Sequence, residues 1–264
     1  MYPFTLERPQ STADAVRLAS AGGRPLAGGQ TLLASMKLRL SQSDQLVDLA
    51  GIKELTGICR DGNALVIGAM TRHAEVAGNA EVKSLIPALA DLANHIGDRQ
   101  VRAMGTLGGS VANNDPAACY PSAVLALGAT VHTNSRKIAA DDFFKGMFAT
   151  ALAEGELITA ISFPLPQRAA YMKFKQPASR FAMVGVFVAQ FASGVRVAVT
   201  GASSNGVFRH AGLEKALSAS FTPQAAAAVK IDAAGLNEDI HGTAAYRANL
   251  ISVQTQRAVT KALG

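Results

Sequence analysis

The sequence predicts an α+β fold, and three observations point there. Half of the residues are hydrophobic (49%) against 17% charged, ample apolar material for buried cores in 264 residues. Up to Pro164 short strand-like and helix-like segments alternate irregularly. Beyond the pair Pro164 and Pro166, three alternating strands come first and Ala-rich helices after them, an order that suits α+β architecture rather than a regular parallel sheet. The proline pair is the best domain boundary in the chain.

Taken in order, Ser11–Ala21 shows apolar residues at helical spacing (Ala15, Val16, Leu18, Ala19), with Ser11 or Thr12 as N-cap and Gly22-Gly23 as the stop. Pro25–Ala27 reads as a short strand, Leu32–Leu40 as a short helix and Gln45–Leu49 as a strand. Ile52–Ile58 and Ala64–Ala69 read as strands around the turn Arg60-Asp61-Gly62-Asn63. Val82–Ile96 is predicted as one amphipathic helix carrying Leu85, Ala88, Leu89, Leu92 and Ile96 on one face. Gly97–Pro121 then reads as a dense loop, Ser122–Leu127 as helical, and Thr130–Thr133 and Leu157–Pro164 as strands. Tyr171–Lys175, Val184–Phe191 and Val195–Gly201 alternate like antiparallel strands, with a hairpin at Ser193-Gly194. Helical segments follow at Ala211–Ala219, Pro223–Lys230 and Ala244–Leu263.

Composition excludes several chemistries. Cys59 and Cys119 are the only cysteines, which leaves no disulfide scaffold and no cysteine-ligated zinc or iron–sulfur cluster. Redox chemistry in this chain therefore needs a bound organic centre. The five histidines lack HxxxH or HExxH spacing, and no GxSxG occurs. Asp141-Asp142 reads as a helix cap before Phe143-Phe144 rather than an acid–base pair. The net charge of +6 is scattered, and aromatics are sparse with no Trp, so nucleic acid is a poor partner and an anionic cofactor or acidic subunit a better one. No apolar run nears the roughly 20 residues of a membrane helix. The first residues lack a signal-peptide pattern, so the expected location is the cytoplasm.

Two loops carry the chemistry. Leu26-Ala27-Gly28-Gly29-Gln30-Thr31-Leu32 sets paired glycines between a strand and a helix. Glycines permit positive φ and let N–H groups approach a phosphate, and the helix that follows aims its positive end at the same anion. Met104-Gly105-Thr106-Leu107-Gly108-Gly109-Ser110 repeats the device with flanking hydroxyls. Two such loops suit a diphosphate gripped from both sides, as in FAD. Neither is a GxGxxG or a GxxxxGK[ST] motif, so the usual nicotinamide and nucleotide-triphosphate fingerprints are missing.

The sequence resembles the FAD-binding medium subunit of the molybdenum hydroxylases, the family of xanthine dehydrogenase and aerobic carbon monoxide dehydrogenase. The resemblance rests on LAGGQTLL (26–33), LVDLAGIKELTGI (46–58), IGAMTRHAEV (67–76), VRAMGTLGGSVANNDPAACYPS (101–122), GELITAISFP (155–164), FKQPASRFAMVGV (174–186) and YRANLISVQTQRAV (246–259). It implies a vanillyl-alcohol-oxidase-type FAD-binding domain of two α/β subdomains, about 1–55 and 56–166, followed by a C-terminal α+β domain, 167–264. It further implies that Ala27, Gly28, Gly29, Gln30 and Thr31, with Thr106, Leu107, Gly108, Gly109 and Ser110, contact the flavin nucleotide. By the same resemblance Ile158 matches an apolar position near the flavin ring, and Lys175 a flavin-contacting lysine whose cation would stabilise an anionic reduced flavin or a phosphate. Phe181 aligns with an aromatic that in related subunits lies against the isoalloxazine, core packing being its other reading. Arg99 and Arg102 stay open between a structural, a flavin and a subunit-contact role. The sequence departs from the family pattern at Cys119, where an aspartate often binds the ribose; Asn113 and Asn114 are the nearby substitutes. Ser110 replaces the usual Asn.

The resemblance implies an electron-transfer flavoprotein. Substrate is oxidised at a molybdenum cofactor in a large subunit, electrons cross two [2Fe–2S] clusters in a small one, and FAD here passes them to NAD, a quinone, a cytochrome or oxygen. A dimer of heterotrimers is the expected assembly. Two other readings are a scaffolding subunit without FAD and a self-sufficient flavin oxidase.

Overall fold

The computed structural model describes residues 1–264. The chain first builds a three-stranded parallel sheet of β1 (Thr5–Glu7), β3 (Gln45–Asp48) and β2 (Arg24–Leu26), in the order β1-β3-β2. Helix α1 (Thr12–Ser20) enters on a Ser11 cap, whose hydroxyl accepts the Asp14 N–H at 3.2 Å. Its apolar stripe, Ala15 and Ala19, buries against Val47 and Leu49. Helix α2 (Leu32–Lys37) follows the first glycine loop and stops short of the expected Leu40. Arg39 there takes a positive φ of 59°.

The expected strand over Ile52–Ile58 does not form. Two 3₁₀ turns, Leu49–Gly51 and Lys53–Leu55, replace it, the first closed by an Asp48 carboxylate that accepts the Ala50 N–H at 3.0 Å. Ile52 and Leu55 lie three residues apart and both bury in the first core, a spacing that suits a turn and not a strand. Strand begins only at β4 (Ile58–Asp61), which pairs with β5 (Ala64–Gly68).

The predicted helix over Val82–Ile96 is also divided. After α3 (His73–Gly78), helix α4 (Ala80–Leu85) ends at Ile86, and α5 (Pro87–Asn94) starts afresh. Pro87 has no N–H and pushes its predecessor out of the helical region, as the Ile86 angles of φ −140° and ψ 70° show. The dense loop expected over Gly97–Pro121 contains two short helices instead. Asp98 caps α6 (Arg99–Met104) by accepting the Val101 N–H at 2.8 Å, and Thr106 caps α7 (Leu107–Asn113). Glycine weakens a helix interior, so Gly108 and Gly109 disguised α7, which tertiary packing holds in place.

Helix α8 (Tyr120–Ala126) is buried along its whole length. Strands β6 (Thr130–Thr133) and β7 (Lys137–Ala139) follow, and α9 (Ala140–Phe143) leads into the hairpin of β8 (Phe144–Gly146) and β9 (Ala149–Thr150). Asp141 does not cap a helix as expected. It lies in the first turn of α9 behind Ala139, and its carboxylate takes Arg196 at 2.7 Å and Arg209 at 3.3 Å. Strand β10 (Ile158–Pro164) returns between β5 and β6 and completes an antiparallel five-stranded sheet, β4-β5-β10-β6-β7.

Beyond Pro166 come β11 (Arg168–Lys175), β12 (Ala182–Phe191), β13 (Gly194–Thr200) and β14 (Phe208–Arg209), an antiparallel sheet in sequence order. Helices α10 (Ala211–Ala219), α11 (Pro223–Ala227) and α12 (Ala244–Leu263) cover one face. The other face lies on α5 and α8. Residues 182–189 of β12 are all buried, as expected for a strand covered on both sides. The period of two sorts its residues: Val184, Val186 and Val188 join the core under the C-terminal helices, while Phe187 and Ala189 join the 32-residue core of the preceding sheet. The chain is thus α+β, with the C-terminal sheet welded to the sheet–helix body before it. No helix is long and apolar enough to cross a membrane.

Candidate functional site

The two glycine loops meet. A Cβ on Gly28 would overlap the Met104 carbonyl oxygen and come within 2.6 Å of Gly105 Cα, so the backbones of the two loops touch there. A Cβ on Gly109 would lie 2.8 Å from Thr106 Oγ1 and 3.1 Å from Ala27 Cβ. Gly29 adopts φ +69°, the left-handed region that glycine enters at no steric cost. Ala27, Gly28 and Gly29 are half-buried, and Gln30 and Thr31 exposed. In the second loop Thr106, Leu107 and Gly108 are buried, and Gly109 and Ser110 half-buried.

Hydrogen bonding divides the work between the loops. The N–H groups of Gly28, Gly29, Gln30 and Thr31 donate to nothing in the chain, although the Gln30 side chain returns to the Gly28 carbonyl at 3.0 Å. Four consecutive donors at a half-exposed turn are thus left unspent, which is what an anion site of backbone N–H groups requires. In the second loop the donors are mostly spent. Leu107 N–H goes to Thr71 O (3.0 Å), Gly108 N–H to Ala69 O (2.8 Å), Gly109 N–H to Thr106 Oγ1 (3.2 Å) and Ser110 N–H to Thr106 O (3.1 Å). A Cβ on Gly108 would sit 2.5 Å from Ala69 Cβ. Here glycine serves close packing, and the half-buried Ser110 hydroxyl makes no hydrogen bond in the chain.

Ile158 is buried in the same core as Ala69 and Leu107, and the neighbouring Thr159 carbonyl accepts the Ala69 N–H at 2.9 Å. The structure therefore links Ile158 to the second loop through Ala69. Lys175 stands elsewhere. It is exposed at the end of β11, opposite Ala182, with no hydrogen-bond or ion-pair partner. Phe181 is 48% exposed, which excludes core packing.

Sequence reasoning passed over the lysine two residues earlier. Lys173 Nζ donates to His95 O at 2.6 Å, to Arg180 O at 2.9 Å and to Cys119 Sγ at 3.5 Å. Lys173 shares a face of β11 with Tyr171, whereas Met172 and Phe174 face the C-terminal helices. Its ammonium fastens the turn bearing Phe181 to the end of α5. Cys119 is buried and occupied by that ammonium. Of the two asparagines, Asn114 takes a left-handed φ of 44° and spends its amide N–H groups on Gly146 O and Ala149 O, both at 2.8 Å. Its Oδ1 is buried without a partner. The Asp115–Ala118 segment is pinned from the C-terminal sheet, where Thr200 Oγ1 donates to Pro116 O or Ala118 O at 2.8 and 2.7 Å.

His73 was likewise missed, since it has no metal-ligand spacing. It lies behind the second loop, where a Cβ on Gly105 would meet its Nε2 at 2.6 Å, and its ring tilts against Tyr120 with centroids 5.3 Å apart. Burial, with the nearby Arg102 charge, lowers its pKa to about 4, so it is neutral at pH 7. Its Nδ1 and the Tyr120 hydroxyl are buried without partners. Burial pushes the Tyr120 hydroxyl far above the usual phenol range, so both groups stay uncharged.

FAD fits these residues. The turn at Gly28–Thr31 has free N–H groups for a diphosphate, and its two glycines carry no side chain of their own. The arrangement can bind and orient a nucleotide cofactor.

Residues 2–166 match the profile of a family described as the FAD binding domain in molybdopterin dehydrogenase. The carbon monoxide dehydrogenase medium chain of Afipia carboxidovorans is 35% identical, covering 98% of this chain and 96% of that one. The glyceraldehyde dehydrogenase medium chain of Sulfolobus acidocaldarius is 38% identical over 72% of this chain and 71% of its own. Among solved structures, reconstituted CO dehydrogenase from Oligotropha carboxidovorans superposes with a TM-score of 0.90 at 33% identity, covering 99% of both chains. Quinoline 2-oxidoreductase from Pseudomonas putida gives 0.87 at 28% identity, over 98% of this chain and 96% of that one.

Proposed function

The chain belongs to the FAD-binding medium subunits of the molybdenum hydroxylases, and on that premise we propose that it is the flavin relay of such a complex. When bound, FAD accepts electrons from the [2Fe–2S] clusters of a small partner subunit and delivers them to an external acceptor: NAD, a quinone, a cytochrome or oxygen. A large partner subunit with the molybdenum cofactor oxidises the substrate, and the complex assembles as a dimer of heterotrimers. Medium chains named for carbon monoxide and glyceraldehyde dehydrogenases share this sequence pattern, which suits a part that does not choose the substrate.

The observation that carries the reading is the row of four unspent N–H donors closed over by the second loop. In this reading Gly28, Gly29, Gln30 and Thr31 bind the diphosphate, with Ala27 shaping the turn. Thr106, Leu107, Gly108 and Gly109 fix the height of that cradle, and Ser110 adds a hydroxyl. Ile158 supplies an apolar wall, and Lys175, exposed and unpaired at the end of β11, is the cation offered to the flavin. The corresponding division of labour is an FAD-binding domain at 1–166, with subdomains 1–55 and 56–166, and a C-terminal domain at 167–264.

Visible absorption of the chain, purified alone and with its co-purifying partners, tests the proposal. The expected spectrum is that of bound flavin, lost in Gly29→Val and in Gly109→Val while the variants stay folded. No flavin after addition of FAD would leave the scaffolding reading standing. Flavin reduction by substrate in the isolated chain would establish the self-sufficient oxidase.

A further inference from the structure

A second concave site is lined by residues that belong to neither glycine loop. Helices α3, α5 and α6 enclose a groove of about 570 Å³, within the span typical of small-ligand sites. Lys83, Arg99 and Arg102 line it. Arg102 is held in place by two carbonyls, with its Nη1 donating to Ile96 O at 3.0 Å and to Gly97 O at 3.3 Å. That leaves the other guanidinium N–H groups free. Lys83 and Arg99 are exposed and have no acceptor and no ion pair in the chain.

Asp91 is the one carboxylate in the wall, and its charge is already met. Lys261 Nζ lies 2.8 Å from its carboxylate. Three cations therefore line the groove with no counter-charge of their own, beside an unbonded Asn94 amide. Like charges gathered in a groove repel one another and concentrate anions there. Small residues of α3 and α5, among them Ala74, Ala77 and Ala90, line the rest and leave room above them.

We infer that this groove binds a small phosphate-bearing anion, at a site separate from the FAD cradle. Two arginine forks and an ammonium match the terminal oxygens of a phosphoryl group, which accept several charge-assisted hydrogen bonds at once. The groove's size favours a small molecule, since a stable protein partner needs a broad surface of about 1,000 Å² or more. The inference does not depend on the chain's role as an electron relay.

The test is calorimetric titration of the FAD-saturated protein with inorganic pyrophosphate, so that the glycine loops are filled beforehand. Saturable one-to-one binding is expected. The double variant Lys83→Gln/Arg99→Gln removes two exposed, unpaired cations and should weaken binding by about tenfold or more, roughly 1.4 kcal/mol. The same change at Lys215 and Lys230, cations outside the groove, should have no effect, which separates the site from general charge. Absence of saturable binding, equal loss in the two double variants, or equally tight binding of succinate would overturn the proposal.

Discussion

Replacing Gly28 by alanine adds one methyl group at the closest approach of the two loops. That carbon would overlap the Met104 carbonyl oxygen and lie 2.6 Å from Gly105 Cα, where carbon atoms normally rest about 3.5–4.0 Å apart. Gly28 has no positive φ, so the penalty is steric and not conformational. The obstacle is backbone, and it is tied down behind, because Gly105 O accepts the His73 N–H at 2.9 Å and a Cβ on Gly105 would already come within 2.6 Å of the His73 Nε2. Relief requires the loops to part by about 1 Å, and overpacking of this kind costs roughly 1–3 kcal/mol. Two assays separate the consequences. Thermal unfolding of the apoprotein should drop by roughly 3–10 °C. Flavin titration should show affinity reduced by about ten- to a hundredfold, since the cradle's height over the second loop has changed. Gly62→Ala is the control: φ is +56° but nothing lies within 4 Å, so stability should fall by about 1 kcal/mol while flavin affinity holds. A Gly28→Ala protein with unchanged unfolding temperature and unchanged flavin affinity would refute the view that the two loops form one cradle.

Two further outcomes follow from groups behind the site. His73 is neutral in the folded chain with its pKa lowered to about 4, whereas the unfolded chain takes up the proton near 6.5. Its contribution is therefore complete above pH 6.5 and is lost as pH falls toward 4, by about 3 kcal/mol at most. His73→Gln, which cannot be protonated, should flatten the stability profile in that window; denaturant unfolding at pH 7 and pH 4.5 that shows the same pH-dependent loss in both proteins would contradict this. Lys173→Met strips His95 O and Arg180 O of their donor and should cost roughly 1–3 kcal/mol. Amide exchange at Gln176 and Arg180 should quicken by an order of magnitude or more, and unchanged protection would show that Lys173 does not fasten the turn.

The C-terminal strands and the long last helix were legible in the residues because their patterns are uninterrupted. The strand read over Val184–Phe191 forms as β12, and α12 spans Ala244–Leu263 as expected. Misreadings fell where a local rule met a stronger one. Pro87 cut a helix whose apolar periodicity runs straight through it. The apolar run from Ile52 folded into turns because Ile52 and Leu55 share one core. Glycine-rich α7 looked like a loop, since glycine's low helix propensity says nothing of the Ala69 and Thr71 carbonyls that receive its first N–H groups. Beside the site, Lys173 fastens the turn that bears Phe181, a role that no short motif around it announces.

By itself the sequence determined the class of chemistry. Two cysteines and no metal-ligand spacing leave only a bound organic centre for redox work, and two glycine loops announce an anion. These are properties of residue types and short spacings, which survive without coordinates. Only the tertiary structure decided that the loops touch, that the first keeps its donors free and the second spends them on Ala69 and Thr71, and that Lys173 reaches across to His95. Those facts depend on which distant backbone groups face each other, and hydrogen-bonding capacity is assigned by such proximity rather than by the amino acid that carries it.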